Sequence, residues 1–91
     1  MGSPSPLGQN YSLVEEHSFT QQMAAIFGSP QFWDSIKFQF DLLLCRNPQW
    51  GTPVSGTPLR AIQLLTTPPC TIYYLVDDAN RNVHLIAAHR V

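Results

Sequence analysis

Residues 68–91, PPCTIYYLVDDANRNVHLIAAHRV, constrain the fold of this chain more than any other stretch. They read as one β-hairpin. The run Cys70 to Val76 is dense in β-branched and aromatic residues, and the proline pair before it marks where a strand can begin. Asp77 to Asn82 forms the polar tip, longer than a two-residue hairpin loop. Val83 to Ala88 is the returning strand, ending on His89-Arg90. A hairpin alone defines no fold; the segments before it do.

Tyr11 to Glu15 reads as a first short strand. His17 to Phe27 carries Phe19, Met23, Ile26 and Phe27 at helical spacing, with Ser18 or Thr20 as its expected cap. Gly28-Ser29-Pro30 then stops this helix and starts another, with Ser29 as N-cap and Pro30 at the first helical position. Gln31 to Arg46 is the strongest helix: Phe32, Ile36, Phe40 and Leu43/Leu44 form its apolar stripe, with Trp33 beside it. Phe38, Leu42 and Cys45 widen that face, so the helix is expected to be covered on more than one side. Asp34 in the first turn and Arg46 in the last both suit the helix dipole.

Asn47 to Pro58 (NPQWGTPVSGTP) is a loop in which Trp50 is expected to pin the chain to the core. Leu59 to Leu65 is ambiguous by pattern, and its place before another strand favours a strand. The order is then β-α-α-β-β-β. This predicts an α+β fold, a small antiparallel β-sheet packed against two N-terminal helices.

The 91 residues make a single domain, spanning 11–91 after a flexible leader at 1–10. At 44% hydrophobic the chain can bury one modest core. Only 12% is charged, against about a quarter in typical domains, which points to apolar surface that a partner covers. A net charge of −1 argues against a strongly electrostatic nucleic-acid binder. The distribution is uneven, since Arg46, Arg60, Arg81 and Arg90 outnumber Asp77 and Asp78 after residue 41. Cys45 and Cys70 read as buried thiols, and the scattered histidines and cysteines lack metal-ligand spacing. No cofactor is expected. The first ten residues, MGSPSPLGQN, lack the basic and apolar regions of a signal peptide, so a cytoplasmic location follows by default, with no membrane partner.

From the end of the main helix onward, the motifs resemble a known family. They are Asn47-Pro48, a loop with Gly51, then Gly56-Thr57-Pro58-Leu59-Arg60, a strand, and the ending YYLVDDANRNVHLIAAHR. Together they resemble the RelE/ParE superfamily of bacterial type II toxin–antitoxin toxins. The resemblance implies a toxin silenced by a cognate antitoxin protein that wraps over it. It also implies one of two targets, the ribosome with its mRNA or DNA gyrase.

In the RelE-like reading the chain inhibits translation as a metal-independent endoribonuclease that cleaves mRNA on the ribosome, arresting growth. The resemblance makes Arg60, His89 and Arg90 the candidate catalytic residues. Arg60 and Arg90 would clamp phosphate. His89 would move a proton, since histidine changes charge near neutrality. Antiparallel order is expected to bring the three to one end of the sheet. Each also has an ordinary role: Arg60 snorkelling to Asp77 or a C-terminal carbonyl, and His89-Arg90 as the polar end of a strand. Of Tyr73 and Tyr74, one should be core and the other free to stack on a base or a protein side chain.

Two departures from the nuclease pattern stand out. Thr71 occupies the position where an arginine is expected, and the sequence stops at Val91 without further basic residues. Both favour the alternatives, a ParE-like non-nuclease poison of DNA gyrase or an inactive relative that only binds its antitoxin.

Overall fold

The computed structural model describes residues 11–91. The leader expected at 1–10 lies outside the described residues. The elements run β1 (Ser12–Glu15), α1 (His17–Phe27), α2 (Gln31–Arg46), a 3-10 turn (Pro48–Trp50), β2 (Thr52–Pro53), β3 (Arg60–Leu64), β4 (Cys70–Asp77) and β5 (Asn82–Arg90). This is the α+β arrangement expected, with one added two-residue strand inside the loop after α2.

The sheet has five strands in the order β1-β5-β4-β3-β2. The sheet is antiparallel through β2 to β5, as expected, and the added strand β1 pairs with β5 in parallel, Ser12 opposite Asn82 and Glu15 opposite Leu85. Hairpin geometry fixes antiparallel pairing only for strands joined by tight turns. The two helices separating β1 from the rest leave its direction free.

Both helices pack on one face of this sheet. From the helices come Phe19, Met23, Trp33, Phe40 and Leu44; from the sheet come Ile62, Cys70, Ile72, Tyr74, Val83, Leu85 and Ala88. Trp33 sits at the centre, its ring 4.9 Å from Phe19 and 5.4 Å from Phe40, and its indole N–H donates to Glu15 at 2.7 Å. Along α2 the stripe is therefore Trp33, Phe40 and Leu44, while Phe32 and Ile36 are only half-buried and Leu43 is exposed. Phe38, 66% exposed, faces away from the core, whereas Leu42 is half-buried and Cys45 fully buried, so the wider face is covered only in part.

The helix starts also differ from expectation. Gly28 does end α1 in the left-handed conformation, with φ 79°. Pro30 is the cap of α2, since the first helical bond runs from Asp34 N to Pro30 O at 3.2 Å. Glu16 caps α1 with no side-chain bond. The Ser18 hydroxyl instead donates to Ile86 O at 2.8 Å, and Gln22 Oε1 accepts from Ala88 N at 2.8 Å. These contacts satisfy the β5 edge beyond the point where β1 ends, where bare backbone would otherwise invite another strand. A tertiary contact thus claims Ser18, one of the side chains that local capping rules offer the helix. Among the described residues no helix is long and apolar enough to cross a membrane.

Leu44, fully buried, and Phe38 make a paired test of this layering. Leu44→Ala should lower unfolding stability by about 2–5 kcal/mol, and Phe38→Ala should stay within about 0.5 kcal/mol, as read by urea denaturation.

Candidate functional site

The strand registers decide which side chains can meet. Ile62, Ile72 and Tyr74 point into the core, so their neighbours Gln63, Thr71 and Tyr73 lie on the opposite, open face. On β5 the alternation changes midway. Tyr73 pairs with Ala87 and Tyr74 with Leu85, leaving Ile86 as the extra residue of a bulge. Val83 and Leu85 face the core before the bulge and Ala88 after it. His89 is thereby carried to the open face, while Arg90 falls on the helix side.

The open face consequently holds a compact group. Thr71 is opposite both His89 and Gln63, and the Tyr73 ring meets the His89 imidazole edge-on at 5.6 Å. Tyr73 and Thr71 are half-buried; His89 and Gln63 are exposed. Further along the same face, His84 Nδ1 lies 3.0 Å from Glu16 Oε2, and Nε2 lies 3.8 Å from Asp77. His84, half-buried, is therefore engaged by two carboxylates.

Arg60 is elsewhere. Its Nη1 donates to Gly51 O at 2.7 Å and Gln49 O at 3.1 Å, and its Nη2 donates to Gln49 Oε1 at 3.0 Å. The expected pairing with Asp77 or a C-terminal carbonyl is replaced by a clamp on the loop after α2. The buried Tyr74 hydroxyl completes that clamp, donating to Pro48 O and accepting from Gly51 N, both at 2.7 Å. Burial pushes the Tyr74 phenol above its ordinary value, so it stays protonated and able to donate. A side chain at Gly51 would collide with it, since an added Cβ would lie 2.7 Å from the Tyr74 ring. Trp50 does not pin the loop; it is 51% exposed and lines a groove with Leu42 and Leu43.

The expected convergence of Arg60, His89 and Arg90 is therefore overturned. Arg60 pairs with Tyr74, whereas His89 pairs with Thr71 and Arg90 with Cys70. The first two rows are three residues apart, roughly 10 Å along the strands, and Arg60 and His89 project from opposite faces. The reason is strand direction. Both β3 and β5 run antiparallel to β4, so they run alike, and the start of one lies far from the end of the other. Gln63 was not singled out from the sequence, although its alternation with Ile62 and Leu64 carries the signal that places it beside Thr71.

All five basic residues lie off the open face. Lys37 bridges Glu15 and Asp34 at 3.8 and 3.7 Å, Arg46 ends α2, and Arg60 holds the loop. Arg81 lies over the Tyr11 ring at the hairpin tip, 5.6 Å from its centroid, and Arg90 sits on the helix side of the last row. Among the described residues no group of three or more His, Cys, Asp or Glu gathers to hold a metal ion.

The fold itself is a known one. The chain superposes on the RelBE2 toxin–antitoxin complex from Mycobacterium tuberculosis with a TM-score of 0.68 at 15% identity, over 90% of this chain and 99% of that one. It superposes on a double arginine-to-alanine mutant of Escherichia coli RelE in the free state with a TM-score of 0.65 at 14% identity, over 89% and 83%. No protein-family profile and no curated protein matches the sequence. The architecture is thus that of the RelE-like toxins.

Two expectations test this geometry. Tyr74→Phe removes the partner of Gly51 N and should cost about 1–3 kcal/mol in denaturant unfolding, the penalty of a buried donor left unmet. At the hairpin tip, bonds from Asn80, with a smaller contribution from His84, hold the Asp77 carboxyl below its ordinary 3.8. A depressed carboxylate stabilises the fold above its unfolded pKa, and that contribution is lost as pH falls through the folded one. Below about pH 4 the wild type should therefore lose stability more steeply than Asp77→Asn in a pH series of thermal melts.

Proposed function

We propose that this chain is the toxin of a type II toxin–antitoxin pair, and that it acts by binding a protein target through the open sheet face, as a ParE-like poison of DNA gyrase. The fold supports the first part: it is shared with RelE, and one of the similar structures is a toxin–antitoxin complex. A cognate antitoxin is accordingly the expected silencing partner.

The observation that carries the second part is the charge layout of the open face. RNA cleavage without a metal needs cations aimed at the phosphate as its charge builds up. Here every Arg and Lys lies elsewhere, and Arg60 already spends three hydrogen bonds on its own loop. The face offers instead a half-buried tyrosine and polar side chains of modest charge. Aromatic anchors of that kind dominate protein–protein binding.

One observation favours ribosome-dependent mRNA cleavage as a second reading. Tyr73, His89, Thr71 and Gln63 adjoin one another, so a proton-transferring imidazole sits within a ready-made polar cluster. Thr71 is also where an arginine would stand directly beside His89.

Induced expression without antitoxin should arrest growth, and harmless expression would leave only an inactive, antitoxin-binding relative. With purified protein, gyrase supercoiling should be inhibited while transcripts in a translating extract remain intact. Tyr73→Ala should weaken inhibition about tenfold or more, as loss of an interface anchor does. If transcripts are cut, His89→Ala abolishes the cutting and Thr71→Arg raises it, the cleavage reading replaces this one.

A further inference from the structure

We propose that the outer edge of β3 pairs with the same edge of a second copy of this chain, joining the two sheets across a two-fold axis at Leu64. The inference rests on β2, β3 and the turn after it, and it stands whichever target the open face meets.

The backbone leaves this edge half used. Strand β2 is only two residues long and pairs with Arg60 and Ala61 alone. Val54 N donates to Leu59 O at 3.0 Å, so the odd-numbered residues here turn their backbone toward β2 and the even-numbered ones toward β4. Gln63 and Leu65 follow with their N–H and C=O groups pointing outward, where no described strand meets them. The chain does not extend β2 to cover them. At Gly51 it leaves the edge for the helix side, its N–H held by the buried Tyr74 hydroxyl.

The side chains leave the edge open to its own copy. Exposed edges are normally blunted by charge, proline or a bulge, because they are templates for pairing with another chain. Ala61 to Thr67 carries neither charge nor proline, and the β3–β4 register is unbroken. Leu65 is 92% exposed, and beside Gln63 lies a notch of about 290 Å³ walled by Trp50, Gly51, Thr52, Ala61 and Ile62. No charge here selects a foreign partner, and a second copy brings no like charges together along the seam.

A single register uses both free residues. A two-fold axis makes the paired edges antiparallel. Gln63 opposite Gln63 would set Leu65 against Ala61, which Thr52 already occupies. Leu65 opposite Leu65 would set Gln63 against Thr67, in the turn after the strand. Gln63 opposite Leu65 puts Leu64 on the axis, and both flanking pairs exchange their N–H···O bonds. Leu65 of each copy then lies beside Gln63 and the notch of the other. So short a seam falls below the roughly 1,200 Å² of a standard interface, which sets a weak dimer, half-formed near about 100 µM.

Sedimentation of the full-length protein from about 10 µM to about 1 mM should show a monomer giving way to a dimer. Amide shifts that depend on concentration should be largest from Gln63 to Leu65. Leu65→Glu sets a carboxylate in each half of the seam and should raise the dissociation constant about tenfold or more, with circular dichroism checking that it remains folded. Mixing Gln63→Cys copies with Leu65→Cys copies tests the register. Facing Cα atoms of such a pair lie about 5.5 Å apart, within disulfide reach, whereas like positions sit on the diagonal, roughly 7–8 Å apart. The native Cys45 and Cys70 are buried and do not compete. Mild oxidation should therefore link the mixture and leave each variant alone largely unlinked. The proposal is overturned by a monomer throughout at about 1 mM, or by a dimer that Leu65→Glu leaves unchanged. Linking of either variant alone as readily as the mixture, or shifts centred on Leu13 and Phe38, would overturn it equally.

Discussion

The Tyr74 hydroxyl fastens the loop after α2 to the centre of the sheet. It reaches from the central strand to the backbone on either side of Gln49 and Trp50, accepting from Gly51 N and donating to Pro48 O. The segment it captures is the link between α2 and the remaining strands. Each bond contributes only about 0.5–1.5 kcal/mol net, but a buried hydroxyl without both partners would cost more than that. Gly51 is required because no side chain fits against the phenol ring. Arg60 tightens the same loop from the neighbouring strand, donating to Gln49 and Gly51.

That allocation shapes what the sheet can do. With Arg60 committed to the loop and Lys37 to the acids beside β1, the open face is left with Tyr73, Thr71, Gln63 and two histidines. Such a surface suits contact with a protein better than the stabilisation of a phosphate in transit. The low overall charge of the chain has the same consequence. Of its exposed apolar side chains, Phe38 and Leu43 lie on α2, Trp50 just after it and Leu65 just after β3.

Much of the architecture is legible in the sequence. The helices follow from apolar spacing, Gly28 and the Asn47-Pro48 stop; the hairpin follows from two β-rich runs around a polar tip. These are local signals, and the structure reproduces those boundaries to within a residue or two. The candidate site was less accessible. Alternation put Tyr73 and Tyr74 on opposite faces without saying which is core, and the partners that surround Tyr73 come from β3 and β5, whose registers no local pattern reveals.

What the sequence determined by itself is the set of elements and the residues able to bury one side of each, because 3.6- and 2-residue periodicities act within a segment. Only the tertiary structure decided the rest. It set β1 parallel to β5, since a strand separated by two helices is bound by no turn. It turned Ser18 from an expected helix cap into cover for the β5 edge, where Gln22 joins it. Above all, the bulge at Ile86 reversed the alternation of β5. Strict period-two counting from Val83 and Leu85 would send His89 toward the helices; one unpaired residue sends it to the open face instead. Whether His89 and Arg60 share a site is therefore fixed by strand direction and one bulge, both properties of pairing between strands.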